Sequence, residues 1–265
     1  MPKKELTTEE IKKIETDILM AIHDFCEERQ LRYCLWGGTL LGAIRHDGFI
    51  PWDDDVDIAM PREDFEVFVK EFDCEQYGVY SSEINSGHPF WHAKAYHKGT
   101  CKIEPICYKK NYSIGVDVDI FPLDTYEDFA AVEKTTKWRA MEKKKYGISL
   151  IPFRKTRLKP SMIGLVCRIF LGWNANKTAR AVNKRGSSFG REGSGLMLYA
   201  DSNLKKPLRL EKAWFENRVL HVFEERMVYI PEGYDALLRA CYGDYMTLPP
   251  EEKRVTHHAF EVYYK

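Results

Sequence analysis

Four aspartates lie within five positions of the stretch Pro51-Trp52-Asp53-Asp54-Asp55-Val56-Asp57. Like charges this close repel one another, so the stretch needs solvent, hydrogen-bond donors or a cation to neutralise it. Acidic and apolar residues alternate from Asp55 to Met60, which predicts a half-buried β-strand with Asp55 and Asp57 on one face. Carboxylate oxygens favour Mg²⁺ or Mn²⁺ over a thiolate-binding metal. We therefore expect a divalent-metal site here, with an exposed acidic loop as the alternative.

A glycine turn precedes the acidic strand. Residues 31–36 have the pattern of a short strand that ends at Gly37-Gly38, and residues 39–45 have the pattern of a helix that begins directly after the glycines. Glycines allow a phosphate to approach the backbone, and the N–H groups at a helix N-terminus favour an anion. Thr39 adds a hydroxyl at this position. Gly37, Gly38 and Thr39 are thus candidate substrate-binding residues.

A second acidic strand is predicted at residues 113–121, where Asp117 and Asp119 alternate with apolar residues. Two carboxylates from one strand and one from a neighbouring strand would supply a metal ion with three ligands and leave room for substrate oxygens. Such sites stabilise the attacking and leaving oxygens of a displacement at phosphorus. The two strands together therefore predict phosphoryl-transfer chemistry.

The protein has 265 residues, of which 44% are hydrophobic, enough to form a core in one large domain or two small ones. Its formal net charge of +0 hides an asymmetry: residues 1–133 carry 14 Lys and Arg against 27 Asp and Glu, and residues 134–265 carry 26 against 13. Residues 134–192 alone hold 16 basic and two acidic residues. This stretch is either an anion-facing surface or a solvated set of helices packed against the acidic half.

Neither a signal peptide nor a membrane-spanning helix is predicted, because no stretch reaches the roughly 18 apolar residues that a span requires. We expect a cytoplasmic protein. The apolar segment 162–173 predicts a core helix; as an interfacial helix it would instead give a peripheral contact with the inner face of the membrane. Seven scattered cysteines without a CxxC pair indicate reduced thiols. A zinc site is disfavoured by the irregular spacing of its only candidate ligands, His92, His97, Cys101 and Cys107.

The residue patterns predict an α+β fold. They indicate helices at 7–28 and 62–72, strands at 78–84, 90–97 and 100–108, and mostly helical structure at 127–192. We expect a catalytic core with the metal site over residues 1–130. Residues 131–265 are expected to form a mostly helical, basic region, with C-terminal elements that complete the site.

Three motifs together resemble the LicD family of phosphotransferases. They are Gly37-Gly38-Thr39-Leu40-Leu41-Gly42-Ala43-Ile44-Arg45, Gly48-Phe49-Ile50-Pro51-Trp52-Asp53-Asp54-Asp55-Val56-Asp57, and Asp119-Ile120-Phe121-Pro122-Leu123-Asp124. The ending Arg254-Val255-Thr256-His257-His258 before Tyr263-Tyr264 also resembles the C-terminal end of that family. The resemblance spans at least residues 30–125.

The resemblance implies a nucleotidyltransferase-like mixed sheet flanked by helices, with a helical insertion or subdomain in the second half. It implies Asp55, Asp57 and Asp119 as catalytic metal ligands for Mg²⁺, or Mn²⁺ in its place. Asp117 shares the strand face of Asp119 and is the alternative third ligand. Asp53 is either a further ligand or the base that accepts the proton of the acceptor hydroxyl.

The implied reaction is transfer of a phosphorylated alcohol from a CDP-alcohol donor. Phosphocholine from CDP-choline is the common case, and the acceptor is a hydroxyl on a lipid-linked or other cell-surface glycan or on a teichoic acid precursor. Two alternatives on the same fold are nucleotidyl transfer and the transfer of a polyol phosphate such as ribitol or glycerol phosphate. The non-enzymatic alternative is a protein that binds nucleic acid or a membrane surface through the basic stretch 134–192, with the aspartates as a calcium site. Neither an RNA-reading motif nor an EF-hand loop supports it, so no nucleic-acid partner is expected.

Four further residues are candidate substrate-binding residues. Arg45 lies six residues beyond Thr39 and either reaches a phosphate or pairs with Asp47 or Asp54. Lys94 offers a positive charge to a diphosphate, although most strand lysines are solvated. His257 and His258 would supply a base or a phosphate ligand. Aromatic residues that face the site would hold a choline cation through cation–π contacts; the candidates are Trp36, Trp52, Trp91, Tyr96, Tyr112 and Phe121.

Overall fold

The structure is a computed structural model that describes residues 5–103, 113–150, 166, 172, 174–190, 193, 195–199, 208–255 and 261–265. The helices are α1 (Thr8–Arg29), α2 (Gly37–His46), α3 (Arg62–Glu71), α4 (Phe129–Glu133), α5 (Thr136–Leu150), α6 (Ala175–Gly186), α7 (Ala213–Glu216) and α8 (Tyr234–Tyr242). The strands are β1 (Cys34–Leu35), β2 (Asp57–Pro61), β3 (Tyr77–Tyr80), β4 (Ala93–His97), β5 (Thr100–Ile103), β6 (Ser113–Ile114), β7 (Asp117–Tyr126), β8 (Gly195–Leu198), β9 (Leu208–Glu211), β10 (Arg218–Phe223), β11 (Arg226–Pro231) and β12 (Glu261–Tyr264).

The main sheet is mixed and has the strand order β1-β2-β7-β4-β3. Strands β2 and β7 are parallel, and the other pairs in this order are antiparallel. The second half of β7 also pairs with β8, which in turn pairs with β9. Strand β7 is therefore the centre of the sheet. This mixed sheet flanked by helices confirms the predicted α+β class.

Helix α1 covers one face of the main sheet, and both its capping residues and its apolar spacing favour a helix. Thr7 and Glu10 form a complete capping box at its N-terminus. Apolar residues at helical spacing face the core, among them Ile18 and Ile22, which are fully buried. Phe25 packs edge-on against Phe68 of α3 at a ring distance of 5.7 Å, so both helices lie on the same face.

The single strand predicted at 113–121 is wrong: β6 and β7 are separate strands in different sheets. The chain is interrupted at Gly115, where a side-chain carbon would lie 1.9 Å from the carbonyl oxygen of His97. Val116 instead donates its N–H to Thr100 Oγ1 at 2.9 Å and accepts a hydrogen bond from the His97 N–H at 2.8 Å. Close packing of two backbones therefore divides the segment, and only a glycine allows it.

The second half of the chain supplies strands as well as helices. Helices α4, α5 and α6 agree with the predicted helical region, but β8 and β9 extend the main sheet and β12 pairs with β5. The division into two domains stays a prediction.

The β10–β11 hairpin contacts the loop between α2 and β2. Glu224, at its turn, donates its N–H to the Asp47 carbonyl and accepts a hydrogen bond from the Phe49 N–H, both at 3.0 Å. Phe49 also packs against Phe223, with ring centroids 5.0 Å apart. The loop that leads into the acidic strand is thus held by residues 175 positions later in the sequence.

None of the helices in the described ranges is long and apolar enough to cross a membrane. The described cysteines, Cys26, Cys34, Cys74, Cys101 and Cys241, are all free. The apolar segment 162–173 lies outside the described residues except for two positions.

Candidate active site

The two acidic strands lie side by side at the centre of the main sheet. In the parallel pair β2–β7, Asp57 is directly opposite Asp119. The Asp119 N–H donates to the Val56 carbonyl at 2.9 Å, which fixes this register. The sequence-predicted pair is therefore brought together by main-chain pairing.

The four aspartates of the acidic stretch divide between two directions. Exposure alternates from Asp53 to Asp57: Asp53, Asp55 and Asp57 are half-buried, whereas Asp54 and Val56 are buried. Although β2 begins only at Asp57, the preceding residues already follow strand periodicity. Asp53 therefore belongs to the same acidic face as Asp55 and Asp57, and Asp54 does not.

The glycine turn lies directly on these carboxylates. A side-chain carbon at Gly38 would lie 2.8 Å from Asp53 Oδ2, and one at Gly37 would lie 3.1 Å from Asp57 Oδ2. Gly37 also has a φ of +56°, in the left-handed region. The Trp36 N–H donates to the Asp57 carbonyl at 2.9 Å. Only glycine permits this approach of the N-terminus of α2 to the acidic face.

Thr39 is buried and contacts the acidic strand through its hydroxyl. The Asp57 N–H donates to Thr39 Oγ1 at 2.8 Å. This bond anchors α2 to the start of β2. Thr39 thus lies at the site as predicted, with its oxygen engaged by the protein backbone.

Basic residues surround Asp119 on the neighbouring strand β4. Lys94 is opposite Asp119 in the ladder, and its Nζ lies 2.7 Å from Asp119 Oδ1. His92 Nε2 lies 3.3 Å from Asp119 Oδ2. Burial lowers the pKa of His92 to about 4, although the negative charge of Asp119 acts in the other direction. The ring is therefore neutral at pH 7. Burial alone would raise the pKa of Asp119, but His92 and Lys94 hold it below its ordinary value.

Asp117 lies deeper than Asp119. Its side chain is only 1% exposed and lies between Lys94 Nζ at 2.5 Å and Lys102 Nζ at 3.0 Å. The side chain of Asp119 is 21% exposed. The geometry therefore favours Asp119 over Asp117 as the carboxylate that can reach a ligand.

The acidic face has the chemistry to bind a hard divalent cation. Burial raises the pKa of Asp57 well above its ordinary value, and the charges of Asp55 and Asp119 raise it further. A cation between these carboxylates would relieve that repulsion, so the donor set fits Mg²⁺ or Mn²⁺. Within the described ranges, no three acidic, histidine or cysteine side chains are already spaced to hold a metal ion.

Two residues near the acidic face were missed in the sequence. Glu15 of α1 is fully buried, and neither of its carboxylate oxygens has a hydrogen-bond partner. Burial raises the pKa of Glu15. The positive charge of Lys102 lowers this pKa, and the negative charges of Asp117, Asp55 and Asp54 raise it further. A charged residue inside the apolar stripe of an amphipathic helix is the signal that could have found it.

Tyr242, at the end of α8, is the second missed residue. The residue is 47% exposed. Desolvation of its hydroxyl raises its pKa most, and the charges of Cys241, Asp57, Asp53 and Asp55 raise the pKa further. The charges of these aspartates therefore act on its hydroxyl. No local pattern in the sequence indicates that segments so far apart in the chain influence each other.

The other predicted residues lie elsewhere. Arg45 is at the opposite end of α2 from the glycine turn, about 12 Å away along the helix. Among the described residues it pairs with neither Asp47 nor Asp54. His257 and His258 lie outside the described residues, as do Tyr112 and Cys107. His92, His97 and Cys101 form no metal site within the described part of the chain.

The aromatic candidates separate into core and site residues. Trp36 packs on Phe215 in the core, Trp91 packs on Tyr146, and Tyr96 packs on Tyr80. Phe121, two residues after Asp119, shares its half-exposed face. His92 lies between Phe121 and Phe90, with ring centroids 5.0 Å from each. We call Phe90, His92 and Phe121 the aromatic shelf. In the sequence, Phe90, His92 and Lys94 follow one another at intervals of two residues, a spacing that places side chains on one face of a strand.

Comparisons with known proteins agree with this geometry. The family model described as LicD/FKTN/FKRP, nucleotidyltransferase domain, matches residues 30–162. The chain is 31% identical over 271 residues to the lipopolysaccharide cholinephosphotransferase LicD of Haemophilus influenzae, covering 98% of this chain and 99% of that protein. It is also 55% identical over 38 residues to the ribitol 5-phosphate transferases FKRP of Homo sapiens and Mus musculus, covering 14% of this chain and 8% of each relative.

The family match covers the glycine turn, the acidic strand and Asp119, which the fold assembles on one face of the main sheet. The full-length similarity extends the relationship beyond these motifs. The chain belongs to the LicD family, and it is a phosphotransferase.

Proposed function

We propose that this enzyme transfers phosphocholine from CDP-choline to a hydroxyl group of a cell-surface glycan, such as that of a lipopolysaccharide or a teichoic acid precursor, with the help of Mg²⁺ or Mn²⁺. The observation that carries the proposal is the pairing of Asp57 with Asp119 beneath the Gly37-Gly38 turn. The near full-length similarity to a lipopolysaccharide cholinephosphotransferase supports choline as the alcohol.

In this proposal, some carboxylates of the site bind the cation and others position them. Asp55, Asp57 and Asp119 would hold the cation, which when bound supplies positive charge to the phosphate oxygens of the donor. Lys94 keeps Asp119 ionised and fixed in position. Asp117, between two lysines, contributes to that positioning and does not reach the ligand.

The transfer itself is a displacement at phosphorus. The acceptor hydroxyl oxygen bonds to the phosphorus of the phosphocholine group, and the bond from that phosphorus to the bridging oxygen of the diphosphate breaks, which releases CMP. The hydroxyl proton passes to Asp53, the half-exposed carboxylate beside Gly38. The basic, exposed side chains of α6, namely Lys177, Arg180, Lys184 and Arg185, would face an anionic acceptor or the membrane that carries it.

CDP-choline is expected to raise the melting temperature of the protein in the presence of Mg²⁺, because a ligand that binds only the folded state stabilises it. Thermal-shift assays should compare CDP-choline with CDP-ribitol, CDP-glycerol and CTP. With a lipopolysaccharide stripped of phosphocholine as acceptor, CMP should appear in the solution.

Each alternative has its own outcome in these assays. A shift with CDP-ribitol or CDP-glycerol alone would assign the enzyme to polyol phosphate transfer. Release of pyrophosphate from CTP would assign it to nucleotidyl transfer. Absence of any shift with a cytidine diphosphate ester would contradict the donor class.

The aromatic shelf beside Asp119 supports choline over a polyol. Lys94 Nζ lies 5.4 Å from the centre of the Phe90 ring, so this group of rings already holds a cation. Phe121 presents a half-exposed face on the same side of the sheet as Asp119. A quaternary ammonium group binds aromatic faces through cation–π contacts, whereas an uncharged polyol gains nothing from them.

Replacing Phe121 with leucine should raise the KM for CDP-choline roughly 2- to 30-fold, as expected for the loss of one cation–π contact. Leucine keeps the apolar contact but removes the ring face. The KM for CDP-ribitol, if it is accepted as a weak donor, should not change. Phe129→Leu is the matched control, because Phe129 is also half-buried but packs on Tyr126 outside the site. Equal effects on both donors would show that Phe121 has only a packing role.

A further inference from the structure

Arg254 packs on the ring of Trp52, and Arg45, from a distant part of the chain, is linked to the same ring through His46. The Cζ atom of Arg254 lies 5.7 Å from the centre of the Trp52 ring. His46 packs edge-on against the same ring, with centroids 6.5 Å apart, and Arg45 Nε donates to His46 Nε2 at 3.0 Å. We call Arg45, Trp52 and Arg254 the arginine cluster.

Main-chain oxygens hold both guanidinium groups in place. Arg45 Nη1 donates to the Tyr245 carbonyl at 3.1 Å, and Arg254 Nε donates to the Pro249 carbonyl at 2.8 Å. Each guanidinium has further N–H groups that these bonds do not use. The pair is therefore oriented before any ligand arrives.

Neither arginine forms an ion pair with a described residue. Other arginines of the chain do: Arg32 pairs with Asp64, Arg62 with Asp124, and Arg239 with Asp235. Burial lowers the pKa of Arg45, and the charge of Arg254 lowers it further, so the two cations repel each other. Half-buried like charges without a counter-ion are unfavourable, which indicates that an anion belongs between them.

The main chain joins the arginine cluster to the acidic face. Trp52 is followed directly by Asp53, whose carboxylate lies under Gly38. A ligand that carries phosphate groups could therefore contact both, through a cation at the carboxylates and directly at the guanidinium groups. Arginine is well suited to the second contact, because its planar fork binds phosphate oxygens in pairs.

We propose that Arg254, which packs on Trp52, and Arg45, which is linked to Trp52 through His46, bind phosphate oxygens of the nucleotide donor's diphosphate at the edge of the acidic face. This inference rests on the proposed function for the identity of the donor. The phosphate chemistry itself does not depend on choline. A phosphate on the acceptor has the same chemistry, and the measurements below separate the two sources.

Isothermal titration calorimetry of Arg254→Gln and Arg45→Gln tests the proposal with two ligands. The first is inorganic pyrophosphate without added metal, so that the carboxylates cannot capture it through a cation. The second is CDP-choline with Mg²⁺. Each variant should bind both ligands roughly 10- to 100-fold more weakly than the wild type, as expected for the loss of charged hydrogen bonds. Arg254→Lys should recover part of the affinity, because it keeps the charge but not the fork.

The control variant is Arg239→Gln, which removes an exposed arginine paired with Asp235 on α8 and should bind both ligands as the wild type does. Melting temperatures near that of the wild type would show that the variants are folded. One outcome separates the two proposals: the wild type binds pyrophosphate, Arg254→Gln does not, and neither protein binds CDP-choline. This result would support phosphate binding by the arginine cluster and would rule out CDP-choline as the donor. If both variants bind pyrophosphate and CDP-choline normally, the inference is wrong, even where their KM for the acceptor is raised.

Discussion

Replacing Asp57 with asparagine is expected to lower the rate of CMP release by at least about a thousandfold. Asp57 is opposite Asp119 in the β2–β7 ladder and is the carboxylate closest to the Gly37 backbone. Several kcal/mol of transition-state stabilisation depend on a correctly held cation, and each 1.36 kcal/mol is a factor of ten in rate. The rate should be measured with CDP-choline, Mg²⁺ and a lipopolysaccharide acceptor.

The same variant should fold normally without metal. Burial and the neighbouring carboxylates raise the pKa of Asp57 in the folded state, so ionising it above its unfolded-state pKa costs stability. Neutral asparagine avoids that cost, and the metal-free melting temperature should be unchanged or higher. The increase in melting temperature that Mg²⁺ gives the wild type should be lost.

Asp73→Asn is the matched control for Asp57→Asn, because the side chain of Asp73 is 75% exposed and pairs with Lys98. This variant should keep its turnover and its response to Mg²⁺. Wild-type turnover in Asp57→Asn would remove the acidic face from the mechanism. Asp119→Asn is a less informative variant, since it also removes a partner of the buried Lys94.

Replacing Lys94 with methionine is expected to lower the free energy of unfolding by about 3–5 kcal/mol, because it leaves the buried Asp117 and the half-buried Asp119 without the ammonium group between them. Denaturant unfolding in the absence of metal measures this loss. Mg²⁺ should restore part of the stability, since it would replace the missing positive charge at Asp119.

Lys98→Met is the control for Lys94→Met, four residues further along the same segment. Lys98 is partly exposed and pairs with the exposed Asp73, and solvent screening leaves such pairs with little effect on stability. A Lys94→Met protein as stable as Lys98→Met would show that the two carboxylates are neutralised in another way. Lys94 would then be a candidate for direct contact with the donor, as the sequence first indicated.

Local periodicity was sufficient to predict the acidic face. Alternation placed Asp55 and Asp57 on one side of a strand, and the structure adds Asp53 and excludes Asp54 by the same rule. The glycines were expected to let a phosphate approach the backbone. In the structure the carboxylates of Asp57 and Asp53 lie against Gly37 and Gly38, and phosphate binding there stays a prediction. These features depend on residues within about 20 positions of one another, where pattern and spacing carry the information.

Features that depend on distant residues could not be predicted in this way. The break at Gly115 comes from the carbonyl of His97 in a neighbouring strand. The contact of Arg254 with Trp52 and the influence of the aspartates on Tyr242 join segments about 200 residues apart. Lys94 was expected to face solvent or a diphosphate, but register pairs it with Asp119. Tertiary packing decides each of these, and single-sequence patterns do not encode it.

The hydrogen bonds of Glu224 with Asp47 and Phe49 affect when the acidic face can assemble as the chain is synthesised. Glu224 and Tyr245 bind Phe49 and Arg45, both in the segment that precedes the acidic strand, and they follow these partners by 175 and 200 residues. A nascent chain that has just produced Asp57 lacks both supports, so the acidic face stays unassembled until most of the protein has left the ribosome. Contacts of such long range also slow folding. The acidic face is therefore assembled late, after translation has supplied the residues that hold the preceding loop in place.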